Sequence, residues 1–170
     1  MAARHLFFGL ALLAVPAVTI LPDSASGQDA LEPFCGEFEA VRHQDLITFI
    51  NHGNEGVSPG DVRILRWQLI DQDGEPIGVQ HATSRVMHSD TEGSFPLMGA
   101  STFLFDNGIL MASAFVESRD PSDTGTSSVR PLEWFVYGGT GEFAGATGSI
   151  VTTPAGDGVY DIAFDLSCSE

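Results

Sequence analysis

The chain has 170 residues and a formal charge of -16, with 23 acidic residues against seven arginines and no lysine. That length suits one domain of ordinary size. The acidic balance excludes a phosphate-binding or anionic-membrane surface, so neither nucleic acid nor stable membrane insertion is expected, and the lack of lysine excludes Schiff-base and P-loop chemistry.

Arg4 and His5 precede an apolar run, Leu6 to Leu21, and the small residues Ser24, Ala25, Ser26 and Gly27 follow it. A positive start, an apolar core and a small-residue cleavage site make residues 1–27 a signal peptide. The run is broken by Pro16 and is shorter than the roughly 20 residues that span a bilayer. Residues 28–170 then form the mature domain, secreted or periplasmic.

The domain reads as strands joined by turns. Gly36 to Asn51 is the first, and a polar, glycine-rich turn follows from His52 to Gly60. Asp61 to Asp71 and Pro76 to Met87 flank Gln72-Asp73-Gly74-Glu75, a hairpin signal. Ser101 to Phe105 and Ile109 to Glu117 flank Asp106-Asn107-Gly108, whose Asn-Gly pair tolerates positive φ. Arg119 to Ser128 is polar loop. Leu132 to Tyr137, Ala146 to Thr153 and Val159 to Leu166 complete the set. Eight candidate strands with regularly spaced turns predict an all-β fold, an eight-stranded antiparallel barrel after the signal peptide, with an open sandwich as the alternative.

Cys35 and Cys168 are the two cysteines and lie near the two ends of the mature domain. An exported chain meets oxidising conditions, and the spacing matches no CxxC redox or zinc pattern, so a disulfide is favoured over two unrelated thiols. In a closed meander the first and last strands are neighbours, which would let the cysteines meet. The loop-entropy model gives such a bridge on the order of 4–5 kcal/mol.

If Trp67 points inward, period-2 alternation sends Arg63, Leu65, Leu69 and Asp71 to the same side. The same register in the next strand gives Gln80, Ala82, Ser84 and Val86. Small residues at Ala82 and Ser84 opposite the flat wall of Trp67 would leave room for an apolar or aromatic ligand. Against this, an eight-stranded barrel has space only for side chains or one small ligand, so Trp67 could equally be core filling. Trp134 and Tyr137 lie on opposite faces of their strand, so one of them reaches the lumen. Tyr137 is a candidate for orienting a ligand or donating a proton, or else a satisfied core residue. His43, His52, His81 and His88 match no metal-site spacing. Asp71-Gln72-Asp73-Gly74 opens like a calcium loop but has Ala82 where the glutamate should be, which leaves a hairpin turn.

The segment Tyr137-Gly138-Gly139-Thr140-Gly141-Glu142-Phe143-Ala144-Gly145-Ala146-Thr147-Gly148 resembles the GGTGxFxGAxG signature of the barrel superfamily of allene oxide cyclases, dirigent proteins and bacterial relatives. Physically, its glycines allow close backbone approach while Phe143 pins the turn to the core. Gly60-Asp61, Leu69-Ile70-Asp71, Gly74 and Ile77-Gly78 resemble the same superfamily's GD…LYD…G…VG pattern, and Phe103 to Gly108 its FxFxDG hairpin. Cys35 and Cys168 also resemble the terminal cysteines of dirigent proteins. The resemblance covers about residues 60–166, in order. It implies an eight-stranded barrel with an apolar lumen, trimers in plant members, and no cofactor or metal.

The superfamily's shared principle is shape: folding a flexible substrate into a reactive conformer lowers the entropy cost of ring closure. Residue by residue, the position of a lumen asparagine of allene oxide cyclases is Trp67 here, and a cysteine position is Ser84. The family's lumen glutamate corresponds to Glu37 or Glu39. The missing asparagine argues against allene oxide cyclisation itself. Two readings follow. One is a secreted isomerase-, cyclase- or dirigent-like barrel holding an apolar small molecule, with Tyr137 and Glu39 as candidate catalytic groups and Trp67, Gln80, Ala82 and Ser84 as ligand contacts. The other is a non-catalytic binding or structural barrel with a filled lumen.

Overall fold

The computed structural model describes residues 34–53, 55–91, 94–118 and 131–168. The signal peptide and the polar loop expected at 119–128 lie outside them. The strands are β1 (Glu37–Ile50), β2 (Val62–Ile70), β3 (Pro76–Val86), β4 (Phe95–Phe105), β5 (Gly108–Ser118), β6 (Leu132–Gly141), β7 (Thr147–Gly156) and β8 (Val159–Ser167). Each pairs antiparallel with the next, and β1 pairs with β8, so the sheet closes into a barrel. No helix occurs among the described residues, and none is available to cross a membrane.

Alternation decides which side chains enter. Arg63, Leu65, Trp67 and Leu69 of β2 are buried, as are Tyr160, Ile162, Phe164 and Leu166 of β8, while their neighbours face out. β1 serves both partners: Glu37 to His43 pair with β8, and Val41 to Ile50 pair with β2. This stagger is what lets a twisted sheet close on itself. A bulge between Gln44 and Leu46 adds one residue to β1, and exposed Asp45 pairs with Arg66 beside it.

The barrel end at Cys35 and Cys168 is plugged. Phe38 stacks on Phe164 at 4.1 Å between centroids, Phe103 meets Phe164 edge-on at 5.5 Å, and Phe105 lies 5.2 Å from Phe143. Such pairs contribute roughly 0.5–1.5 kcal/mol each beyond the area they bury. Cys35 and Cys168 form the disulfide across the β1–β8 seam, with Cα atoms 6.1 Å apart. This bond belongs to an oxidising, non-cytoplasmic environment.

Three local expectations change. β4 begins at Phe95 rather than Ser101, with Pro96 at its start, where the missing N–H costs least. β6 continues through the glycine block to Gly141, so Gly138 and Gly139 are strand residues paired with Met111 and Leu110. The Asp106-Asn107 turn uses no positive φ at Asn107 or Gly108. Gly108 is required for space instead, since a Cβ there would lie 2.3 Å from the Thr140 carbonyl oxygen.

Candidate functional site

Above the phenylalanine plug the lumen turns polar. The third inward residue of β1, after Phe38 and Ala40, is Arg42, only 1% exposed. Its Nη1 donates to Gln80 Oε1 at 2.9 Å, Gln80 Nε2 donates to Ser101 Oγ at 2.8 Å, and Ser101 Oγ reaches the His81 carbonyl at 3.4 Å. The guanidinium carbon is sandwiched between rings, 4.5 Å from the Trp67 centroid and 4.4 Å from that of Tyr160. A desolvated cation–π contact contributes about 2 kcal/mol. Burial pulls the guanidinium down to about 10, while the Tyr160 hydroxyl acts in the opposite direction. Arg42 is therefore cationic at neutral pH. It forms no ion pair with a carboxylate among the described residues.

Further towards the other end a cavity of ≈ 40 Å³ opens over Arg42. Trp67 and Trp134 form flat walls, and Ala82, Gly99 and Ala114 keep the space between them clear. Gly99 sets the position of Trp134, whose ring edge would be 3.2 Å from a Cβ at that site. Leu97, Val116 and Leu132 complete its apolar lining. The Nε1 atoms of Trp67 and Trp134 and the Nε of Arg42 are buried with no hydrogen-bond partner among the described residues. All three are donors.

The residues expected from sequence separate into two groups. Trp67, Ala82 and Ser84 stand on the cavity wall, and Gln80 is fully buried behind it as the partner of Arg42. Tyr137 and Glu39 do not enter. Tyr137 is 58% exposed, because Trp134 and Val136 take the inward positions of β6 and the residue after Val136 must face out. Trp134 is the member of that pair that reaches the lumen, in the gap left by Gly99. Glu39 alternates outward from Phe38 and Ala40 and accepts a hydrogen bond from Gln72 Nε2 at 3.1 Å. Arg42 and Ser101 escaped the sequence reading. The signal for Arg42 was its place in the period-2 series Phe38, Ala40, Arg42, an inward register occupied by a charge.

Two larger hollows, ≈ 410 and ≈ 520 Å³, lie on the outer side of β1, β7 and β8, where Glu37, Glu39, Asp161 and Asp165 face solvent. Their walls carry none of the buried, unmatched donors of the lumen.

No protein-family model and no curated protein matches the chain. Solved structures do. A pyocyanin demethylase superposes with a TM-score of 0.64 at 18% identity, over 77% of this chain and 99% of that one. The Diels–Alderase AbmU from Streptomyces koyangensis gives 0.62 at 13% identity, over 78% of this chain and 64% of that one. The pterocarpan synthase dirigent protein GePTS1 gives 0.55 at 16% identity, over 79% and 86%. The chain has the dirigent and cyclase barrel fold. At these identities the likeness is one of fold, which agrees with the glycine-block resemblance, and the site is argued from this chain's own residues.

Proposed function

We propose that the chain is an exported barrel that takes an apolar small molecule into its lumen and steers that molecule's cyclisation or stereochemistry by shape. The observation that carries this reading is the cavity over Arg42, lined by two indoles and small residues, whose lining residues carry three buried donors unmatched among the described residues. Apolar walls with a few placed polar groups are the usual make-up of a small-molecule site. Rigid walls that restrict a flexible ligand supply the orientation that ring closure needs. Likeness to a Diels–Alderase and a pterocarpan synthase adds weight to cyclisation as the reaction class. Export is supported by the Leu6–Leu21 run with its small-residue end and by the disulfide.

The volume favours a second reading, a barrel whose lumen is filled. Drug-sized ligands occupy sites of roughly 300–1,000 Å³, against ≈ 40 Å³ here. Native mass spectrometry of the exported protein, beside an Ala114→Leu variant that fills the gap, separates the two. A ligand-binding barrel carries a small-molecule adduct that the variant loses. A filled barrel carries none, and Ala114→Leu then melts at or above the wild-type temperature.

A further inference from the structure

Three buried donors at the cavity stand unmatched, beside the hydroxyl residues Thr83 and Ser84 that also line it. Arg42 offers a cationic guanidinium, and its Nε together with the two indole N–H groups forms a set of buried donors that meets no acceptor among the described residues. Burying a cation away from any carboxylate is costly, and buried donors are ordinarily paired. Gln80 and the two flanking rings offset part of the cost, but they leave the Nε and both indole donors unmatched. In a chain with 23 acidic residues, the lack of a carboxylate paired with Arg42 among the described residues is a selective feature. An acidic side chain there would neutralise Arg42 and repel an anion.

We infer that the ligand is an apolar molecule bearing one delocalised oxyanion, a carboxylate or an enolate, which sits against Arg42 with the indole N–H groups of Trp67 and Trp134 as further donors. The inference rests on the lumen-binding reading above and names its substrate class. A planar guanidinium matches a planar oxyanion better than a point charge does. A cavity of ≈ 40 Å³ admits a head group of a few atoms. The apolar body then lies against the apolar lining residues Leu97, Val116 and Leu132. For a substrate held as an enolate, the same donors stabilise the charge from which a ring-forming step begins.

The chain's two tryptophans both line the cavity, so intrinsic fluorescence reports from the site itself. The exported, oxidised protein is titrated with cyclohexanecarboxylate, its neutral methyl ester, the enolate of dimedone, and acetate. Charge-assisted hydrogen bonds predict that the carboxylate or the enolate binds about tenfold or more tightly than the ester. Whichever oxyanion is preferred names the head group. Arg42→Met brings that ratio to about one, and Trp67→Phe, which keeps a ring and loses one N–H, lowers it by about fivefold. Equal binding of acid and ester by the wild type overturns the oxyanion assignment and leaves the lumen-binding reading standing. Acetate matching the larger acids overturns the apolar-ligand part, leaving a small-anion site. No response to any probe, including the ester, overturns both readings. The wild-type comparison decides the matter even where Arg42→Met fails to fold.

Discussion

Arg42 is held by contacts of two different kinds, and they respond differently to substitution. Its hydrogen bond runs through Gln80 to Ser101, so Gln80→Ala strips Arg42 Nη1 of its acceptor and Ser101 of its donor inside the barrel. Leaving a charged donor and a hydroxyl unmatched costs about 3 kcal/mol or more. Arg42→Met removes the buried charge but leaves Gln80 Oε1 without its donor, and its thioether packs against the same Trp67 and Tyr160 rings. Replacing a buried charge by an apolar side chain is often neutral or stabilising. Urea denaturation is therefore expected to rank Gln80→Ala well below wild type, and Arg42→Met within about 1 kcal/mol of wild type or above it. The reverse order would mean that the sandwich of rings, and not the hydrogen-bonded belt, holds this layer.

At the scale of elements, the glycine block shows how backbone proximity builds the plug. Gly139 sits so close to its neighbours that a Cβ would lie 2.4 Å from Phe143 O and 2.5 Å from Ile109 O. Both are backbone atoms and cannot step aside. At Gly138 the nearest atom is the flexible end of Met111, 3.5 Å away. Gly139→Ala is expected to cost about 3 kcal/mol through overpacking, and Gly138→Ala less than about 1 kcal/mol. Thermal unfolding of the two variants distinguishes close approach from glycine's general flexibility.

The β1–β2 connection is fixed differently. The buried Asp61 carboxylate accepts hydrogen bonds from the backbone N–H groups of His52 and Ser58, each at 2.8 Å. The His52 N–H first, then the one from Ser58, hold its pKa below the usual carboxylate value, against the desolvation that would raise it. A carboxylate with a lowered folded pKa stabilises fully above its unfolded value, near 4, and loses that stabilisation as pH falls through the folded value. Asp61→Asn is expected to be less stable at neutral pH and to lose less on acidification, in denaturation curves measured from pH 7 down to pH 3. An unchanged acid limb would assign the acid sensitivity to the surface carboxylates.

Over the whole molecule, legibility followed how local each cause is. β2 and β8 alternate cleanly, and the Asp-Gly turns stand beside them, so strand count, closure and the inward register of Trp67 could be read. The first half of β4 could not, because Pro96 and Gly99 are poor strand residues held by β5 across the sheet. Arg42 was hidden because its acceptor lies 38 residues away, and a lone arginine in β1 gives no local sign of that partner. The β1–β8 seam is the most non-local pairing of all, and its outer face works against it. Exposed Glu37 stands directly opposite exposed Asp165, and like charges in that position destabilise a sheet. The disulfide beside them, spanning 133 positions of sequence, holds the two strand ends together against that repulsion, besides limiting the unfolded chain. Removing it in Cys35→Ala/Cys168→Ala is expected to cost about 4–5 kcal/mol at low salt. Hydrogen exchange should then show the amides of residues 37–43 and 159–165 losing protection before those of β3 to β5. The seam repulsion is electrostatic, and the Debye length shrinks from about 10 Å at 0.1 M salt to about 3 Å at 1 M. The deficit should therefore narrow as salt rises. A deficit independent of salt, with protection lost evenly round the barrel, would mean that the bridge acts on the unfolded chain alone and that the acidic seam needs no staple.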